Sequence, residues 1–166
     1  DVVSRIQTLF EAPNAAVYLA ATGTAANTLA LACLCPPWAT IYCSPVAHIQ
    51  EDECNAPEFF TGGAKLNLVG SDDKLTPAAL EQAILGTAQG DVHGPQRGPV
   101  SLTQITEKGR IYTLSELSEL CAVAKAYDLP VHMDGARFAN AIAALGCSAA
   151  EMTWRCGIDA LTFGGT

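Results

Sequence analysis

Short apolar segments alternate with helical segments along most of this chain. Strands are predicted at 15–20, 40–43, 65–69, 100–103, 130–133 and 159–163, and the segments between them show helical spacing or helix-capping residues. Strands separated by helices of this length pair in parallel, because a crossover helix returns the chain to the same end of the sheet. We therefore predict an α/β fold with a mostly parallel sheet flanked by helices on both faces.

Capping residues predict where several helices begin. Thr76 precedes Pro77, and Thr113 forms a capping box with Glu116, so helices are predicted over 77–85 and 114–127. Pro36 ends a helix that opens near residue 24. Further helices are predicted over 2–10, 51–60 and 134–145, and the Gly/Pro-rich segment 86–98 is predicted to be a loop.

Composition and charge exclude several functions. The chain has 166 residues, 49% of them hydrophobic, a net charge of -8 and a pI near 4.7. An acidic chain with nine basic residues lacks the positive surface that binds nucleic acid or anionic lipid. The apolar content is enough for a core, and it is compatible with a surface that a second subunit or domain covers.

The cysteines and apolar runs indicate a cytoplasmic protein. Seven cysteines occur, an odd number, and no Cys-x-x-Cys pair is present, so we predict reduced core thiols and no metal site. The longest apolar run, 29–35, is too short to span a membrane. The chain opens directly on a helical pattern and stops just after a strand and two glycines. We therefore expect it to be part of a longer protein.

Three strand ends carry candidate binding residues, namely Thr22-Gly23-Thr24, Asp134 and Gly164-Gly165-Thr166. Thr22-Gly23-Thr24 places hydroxyl groups and a glycine at a helix N-terminus, where free N–H groups favour an anion such as phosphate. The same residues also suit an ordinary threonine-capped helix. Asp134 follows an apolar strand and serves either as a helix cap or as a functional carboxylate. Arg137 either pairs with Asp134, binds an anionic ligand or is a surface charge.

The three histidines, His48, His93 and His132, are each open to a structural or a catalytic interpretation. His48 follows a strand and precedes an acidic cluster, but a further metal ligand is not evident near it in the sequence. A Gly-x-Ser-x-Gly elbow is absent, so serine hydrolase chemistry is unsupported. The glycine fingerprint of nucleotide-binding oxidoreductases is also missing.

Taken together, these motifs resemble the threonine aldolase branch of the pyridoxal-phosphate-dependent β-eliminating lyases of fold type I. The resemblance covers nearly the whole chain. Its motifs are Thr22–Asn27, Ala47–Ile49 with Glu53, His132–Arg137, and Leu161–Thr166. It implies that residues 1–166 form the central part of the cofactor-binding large domain, whose sheet is of the seven-stranded type. The start of that domain and the small C-terminal domain would lie outside this span.

The resemblance implies a role for each motif. Thr22, Gly23, Thr24 and Thr166 would bind pyridoxal 5'-phosphate, and His48 would stack on its ring. Asp134 would hold a proton on the ring nitrogen. The substrate carboxylate would be held by Arg137. His93 resembles a second active-site histidine, near the substrate hydroxyl. Gln104 and Thr106 fall in a segment that supplies further polar contacts.

The implied reaction is retro-aldol cleavage of L-threonine or L-allo-threonine to glycine and acetaldehyde. The candidate catalytic groups are His48, His93 and Asp134, and the base is His48, His93 or a bound water. A homodimer or homotetramer is implied, with sites formed between subunits. The family's cofactor lysine follows the last strand, so we expect a lysine after Thr166 in the longer chain. The alternatives are another β-eliminating amino-acid lyase, or a non-catalytic subunit or fragment that lacks this lysine.

Overall fold

The computed structural model describes residues 1–164, which contain a five-stranded parallel sheet. The strands are β1 (Thr40–Cys43), β2 (Lys65–Leu68), β3 (Val100–Thr103), β4 (Val131–Gly135) and β5 (Ala160–Phe163). They lie in the order β2-β1-β3-β4-β5, and every neighbouring pair is parallel. The predicted α/β fold is confirmed. Five strands lie in the described residues, against the seven expected of a complete large domain.

Seven helices connect and cover these strands in the described residues. They are α1 (Val2–Leu9), α2 (Gly23–Leu34), α3 (His48–Glu51), α4 (Ala56–Phe60), α5 (Pro77–Gly86), α6 (Leu114–Ala126) and α7 (Phe138–Leu145). The predicted caps are present, since Thr76 caps α5 and Thr113 forms a complete capping box with Glu116 at α6. No helix within residues 1–164 combines the length and the apolar character that crossing a membrane requires.

The core has two parts, one on each face of the sheet. Successive side chains of a strand point to opposite faces, so Tyr42 and Ile41 enter different parts. Tyr42 packs with Leu80 of α5 and Leu117 of α6 in the larger cluster. Ile41 packs with Leu31 of α2 in the smaller one. Both faces are therefore covered, as the unbroken apolar strands predict.

The predicted strand at 15–20 is wrong. This segment has no regular structure, and Tyr18 and Leu19 are 86% and 77% exposed. An apolar run becomes a strand only if a neighbouring strand takes up its backbone hydrogen bonds, and none pairs with it in the described residues.

Two helix predictions need correction. The helix predicted over 51–60 is divided into α3 and α4, because Cys54 and Asn55 adopt positive φ angles of 51° and 59° between them. The helix predicted over 134–145 begins only at Phe138. Asp134 and Gly135 remain in β4 because they pair with β5.

The seven cysteines all lie in the described residues and carry free thiols. Four of them are buried and two, Cys33 and Cys54, are exposed. Burial in the apolar core raises the pKa of Cys35 to about 11, so this thiol is protonated at neutral pH.

Candidate active site

The candidate active site lies at the carboxyl edge of the sheet. His48 follows β1, and Asp134 is the penultimate residue of β4. The parallel register aligns β3, β4 and β5, so Thr103, Asp134 and Thr162 lie side by side. In open parallel sheets this edge is where ligands bind. The structure thus brings the predicted His48 and Asp134 to one edge, although 86 positions separate them in sequence.

Asp134 is a buried carboxylate with both oxygens in hydrogen bonds. It is 4% exposed. Its Oδ1 accepts from the backbone N–H of Ala136 at 3.0 Å, and its Oδ2 accepts from Asn27 Nδ2 at 2.8 Å. The helix that follows has Arg137 as its N-cap residue and receives no side-chain cap. Asp134 is therefore not the N-cap of this helix, and its carboxylate is buried and held by two hydrogen bonds.

Asn27 is the last residue of the Thr22–Asn27 motif, and no individual role was predicted for it. It is 2% exposed and lies on the first turns of α2. Its amide nitrogen also donates to Glu53 Oε1 at 2.7 Å, and its Oδ1 accepts from the hydroxyl of Thr162 at 2.6 Å. Its sequence context could have indicated this role. Asn27 is a polar residue inside an Ala/Leu-rich helix, and a buried amide requires hydrogen-bond partners.

His48 is fixed through its Nδ1, and within residues 1–164 its Nε2 forms no hydrogen bond. Its Nδ1 lies 2.9 Å from Glu53 Oε1, and Glu53 has a fully buried side chain. Burial of the His48 ring opposes protonation, but the hydrogen bond and charge of Glu53, with the charge of Asp134, outweigh it. The pKa of His48 is therefore raised above its ordinary value. The side chain is 39% exposed, so part of the imidazole ring is open to solvent.

Glu107 is a second residue that sequence reasoning missed. It follows β3, and its Oε1 accepts from the backbone N–H of His48 at 3.0 Å. Burial raises the pKa of Glu107, partly offset by hydrogen bonds from backbone N–H groups, including that of His48. Its Oε2 is buried without a hydrogen-bond partner in the structure. Glu107 follows a strand of a parallel sheet, and this position could have identified it as a candidate site residue.

Arg137 is exposed beside this edge and does not form the alternative ion pair with Asp134. Its Nη1 instead donates to the backbone oxygen of Ile105 at 3.0 Å. One contact to a carbonyl leaves most of the guanidinium donors available to an anionic ligand.

The predicted phosphate turn begins α2 at the same edge. Thr22 caps the helix, and its hydroxyl accepts from the N–H of Ala25 at 3.1 Å. The N–H groups of Gly23 and Thr24 belong to the first turn, where no intrahelical acceptor exists. A Cβ added at Gly23 would meet nothing within 4 Å, so the backbone is open to close approach by a ligand.

Other predicted contacts lie elsewhere. His93 is exposed in a groove with Trp38 and Lys65, at the amino ends of β1 and β2. Gln104 is fully buried and binds both backbone polar groups of Tyr112. Thr106 is also fully buried, and its hydroxyl donates to Asp73 at 2.5 Å. These two side chains hold the loop after β3, while Thr166 lies outside the described residues.

The four lysines of the sequence form no ion pair with Asp134 in the described residues. Lys74 pairs with Glu116, Lys108 with Asp72 and Lys125 with Asp159. Lys65 begins β2 at the opposite edge.

His48, Glu53 and Asp134 also have the spacing of a metal-binding group, since one ligand atom of each lies within 4.8 Å of the others. The two amide hydrogens of Asn27 already point at the two carboxylates. They supply positive electrostatic potential between the two carboxylates. Glu53 Oε2 is buried and has no hydrogen-bond partner among the described residues.

The structure is that of an α/β protein with a parallel sheet. A helix N-terminus open to an anion, and a buried carboxylate beside a histidine, lie at the carboxyl edge of this sheet. The beta-eliminating lyase family model matches residues 1–166, and the chain belongs to this family. The resemblance drawn from the sequence motifs is therefore confirmed.

Three relatives describe the similarity. The low specificity L-threonine aldolase of Pseudomonas aeruginosa is 49% identical over 159 residues, which cover 95% of this chain and 45% of that protein. The probable low-specificity L-threonine aldolase of Schizosaccharomyces pombe is 32% identical over 133 residues, 78% of this chain and 34% of that protein. The structure of Leishmania major threonine aldolase superimposes with a TM-score of 0.83 at 29% identity, over 90% of this chain and 43% of that one. The chain spans about half the length of the first of these relatives.

Proposed function

We propose that the complete protein is a pyridoxal-phosphate-dependent aldehyde-lyase that cleaves L-threonine and L-allo-threonine to glycine and acetaldehyde. The observation that carries the proposal is Asp134, buried and held by two hydrogen bonds at the carboxyl end of β4. A fixed carboxylate there suits a ligand whose ring nitrogen must keep its proton. The relatives named as threonine aldolases support the choice of substrate.

The residues present fit the cofactor at both of its ends. Thr22, Gly23 and Thr24 would hold the phosphate at the N-terminus of α2. Asp134 would hold the ring nitrogen of the cofactor, and the imidazole of His48 would stack on the cofactor ring. The bound cofactor supplies an electron sink for the pair released from the broken carbon–carbon bond. In the complete protein we assign its covalent attachment to a lysine beyond Thr166.

The chain's own residues would position the substrate and move its protons. Arg137 would hold the substrate carboxylate with its free guanidinium donors and so fix the orientation of the scissile bond. Among the candidate bases, His48 has a free Nε2 at the site, while His93 and a bound water remain alternatives. Neutral His48 accepts a proton, so activity should rise as the pH passes upward through its raised pKa.

We also propose that the protein is cytoplasmic and works as a homodimer or homotetramer, with His93 acting in the site of a partner subunit. His93 lies at the amino edge of the sheet, and Asp134 at the carboxyl edge. The strands between these edges span roughly 10 Å or more, so His93 does not reach the site of its own chain. A symmetric assembly can bring the two edges of different copies together.

This arrangement predicts complementation between two inactive variants. His93→Asn and Asp134→Asn are each expected to lose most activity, because each damages a different part of a shared site. Random mixing of the two full-length proteins should restore activity to about a quarter of the wild-type value, since half of the dimers would be hybrids with one intact site. Absence of recovery, with hybrid dimers demonstrated by mass spectrometry, would place His93 outside the site.

The reaction is tested with full-length protein loaded with cofactor. Incubation with L-threonine should release glycine and acetaldehyde in equal amounts. Pyruvate and ammonia from another amino acid, with no glycine from threonine, would identify a different β-eliminating lyase. Failure of the protein to develop the cofactor's absorbance band would identify a non-catalytic member.

A further inference from the structure

The amide of Asn27 connects four separate segments of the site. Its nitrogen donates to Glu53 after α3 and to Asp134 in β4, and its oxygen accepts from Thr162 in β5. Asn27 itself lies on α2. Both amide hydrogens are used, so a change at this residue would affect two carboxylates at once.

The hydrogen-bond directions fix which atoms donate and which accept around His48. An amide nitrogen only donates, so Glu53 Oε1 and Asp134 Oδ2 must both be acceptors. Glu53 Oε1 also lies 2.9 Å from His48 Nδ1, which then carries its hydrogen towards Glu53. The ring is held in one orientation, and Nε2 is the nitrogen that faces a ligand.

The amide also joins two buried carboxyl groups. Glu53 and Asp134 are 3% and 4% exposed, and each accepts a hydrogen bond from the same nitrogen of Asn27. Loss of this donor would leave an oxygen of each buried side chain without its partner, which is costly in a site of low dielectric constant.

From these contacts we infer that Asn27 and Glu53 are positioning residues, which link the orientation and charge of His48 to those of Asp134. The inference rests on the proposed function, because it concerns the same site. Neither residue needs to touch the substrate. Asn27 acts through the two carboxylates, and Glu53 acts through His48.

Several charged groups face His48 and must be considered in any titration. Glu53 contacts its ring, while Asp134 in β4 and Asp52 after α3 act on it through space. Glu107, after β3, accepts from its backbone N–H. A substitution at Glu53 changes the group that contacts His48 Nδ1 directly.

The test uses full-length protein with three variants and one control. Asn27→Leu removes the donors at similar volume, Asn27→Asp replaces the donor by an acceptor at nearly identical shape, and Glu53→Gln removes one charge. Asn140→Ala, on the exposed face of α7, is the control. The titration midpoint of His48 is measured by NMR on cofactor-free protein, with His48→Asn used to assign its signal. Cofactor affinity and kcat/KM are measured separately.

Glu53→Gln should lower the His48 midpoint by about one pH unit, because the neighbouring negative charge is lost. Asn27→Leu should weaken cofactor binding and lower kcat/KM by about tenfold to a hundredfold, the usual effect of removing hydrogen bonds to a charged group. Asn27→Asp should impair cofactor binding at least as much, because a third carboxylate joins two others, and it should raise the His48 midpoint relative to Asn27→Leu.

A residue with only a packing role would give the reverse order, since aspartate preserves the shape of asparagine. The inference is overturned if Asn27→Asp binds cofactor as the wild type does, or if the His48 midpoint is unchanged in Glu53→Gln. These readouts do not depend on turnover. If wild-type protein fails to cleave threonine while the midpoint and affinity change as described, the proposed reaction is wrong and the network stands.

Discussion

Asp134→Asn is expected to lower kcat/KM of the complete enzyme by on the order of 10³-fold, a loss typical of removing a fixed charge from a reacting centre. Asparagine cannot hold a positive charge on a ring nitrogen. It also places an amide where Asn27 donates, so one of the two hydrogen bonds to this side chain is replaced by a donor–donor contact or by a flipped amide. The charge and the geometry of the site are lost together.

The measurement is glycine release from threonine at saturating cofactor, with the cofactor affinity determined by absorbance. Asp128→Asn is the matched control. Asp128 lies on the turn before β4 at a φ of 57°, a conformation that asparagine adopts readily. The control should retain wild-type activity. An Asp134→Asn enzyme within tenfold of the wild type would remove Asp134 from the proposed mechanism.

Gly135→Ala is expected to destabilise the fold by about 1–3 kcal/mol, the usual cost of forcing extra volume into a packed region. An added Cβ would lie 2.7 Å from the backbone oxygen of Thr162 and 2.9 Å from Leu161 Cδ1. The backbone oxygen cannot move unless β5 separates from β4. Because Asp134 is the preceding residue and pairs with Thr162, its carboxylate would move as well.

Urea unfolding of the full-length protein measures the loss of stability, and cofactor titration measures the displacement of Asp134. Gly86→Ala serves as the control, because a Cβ at the last residue of α5 would meet nothing within 4 Å. The control should be neutral or more stable by up to about 1 kcal/mol, owing to the better helix propensity of alanine. Equal stability of both variants would show that β4 and β5 tolerate wider spacing.

The sheet was predictable because its strands are short, apolar and separated by capped helices. Thr113 with Glu116 and Thr76 with Pro77 specify helix starts through contacts within four residues, which a sequence reveals directly. The structure of segment 15–20 was not predictable in the same way. Its apolar character is typical of a strand, but whether it forms one depends on pairing with a neighbouring strand in the folded protein. Gly135 remained in a strand for the same reason, since its pairing with Phe163 is a long-range contact.

The candidate site was predictable where a residue ends a strand and matches a motif. Asp134 and His48 met both conditions. Asn27 acts through Asp134, which is 107 residues away, and Glu107 acts through the backbone of His48, which is 59 residues away. Such contacts depend on the strand order β1-β3-β4-β5, and the alternation of strands and helices along the sequence does not determine this order. The placement of His93 at the opposite edge likewise required the three-dimensional arrangement.

Within residues 1–164 the sheet has two outer strands, β2 and β5, each hydrogen-bonded on one side only. Backbone groups on the open side of such a strand readily pair with another extended segment, including one from a second molecule. Phe163 at the end of β5 is 37% exposed and adds apolar surface near this outer strand. Residues 1–166 expressed alone would therefore favour edge-to-edge association and precipitation.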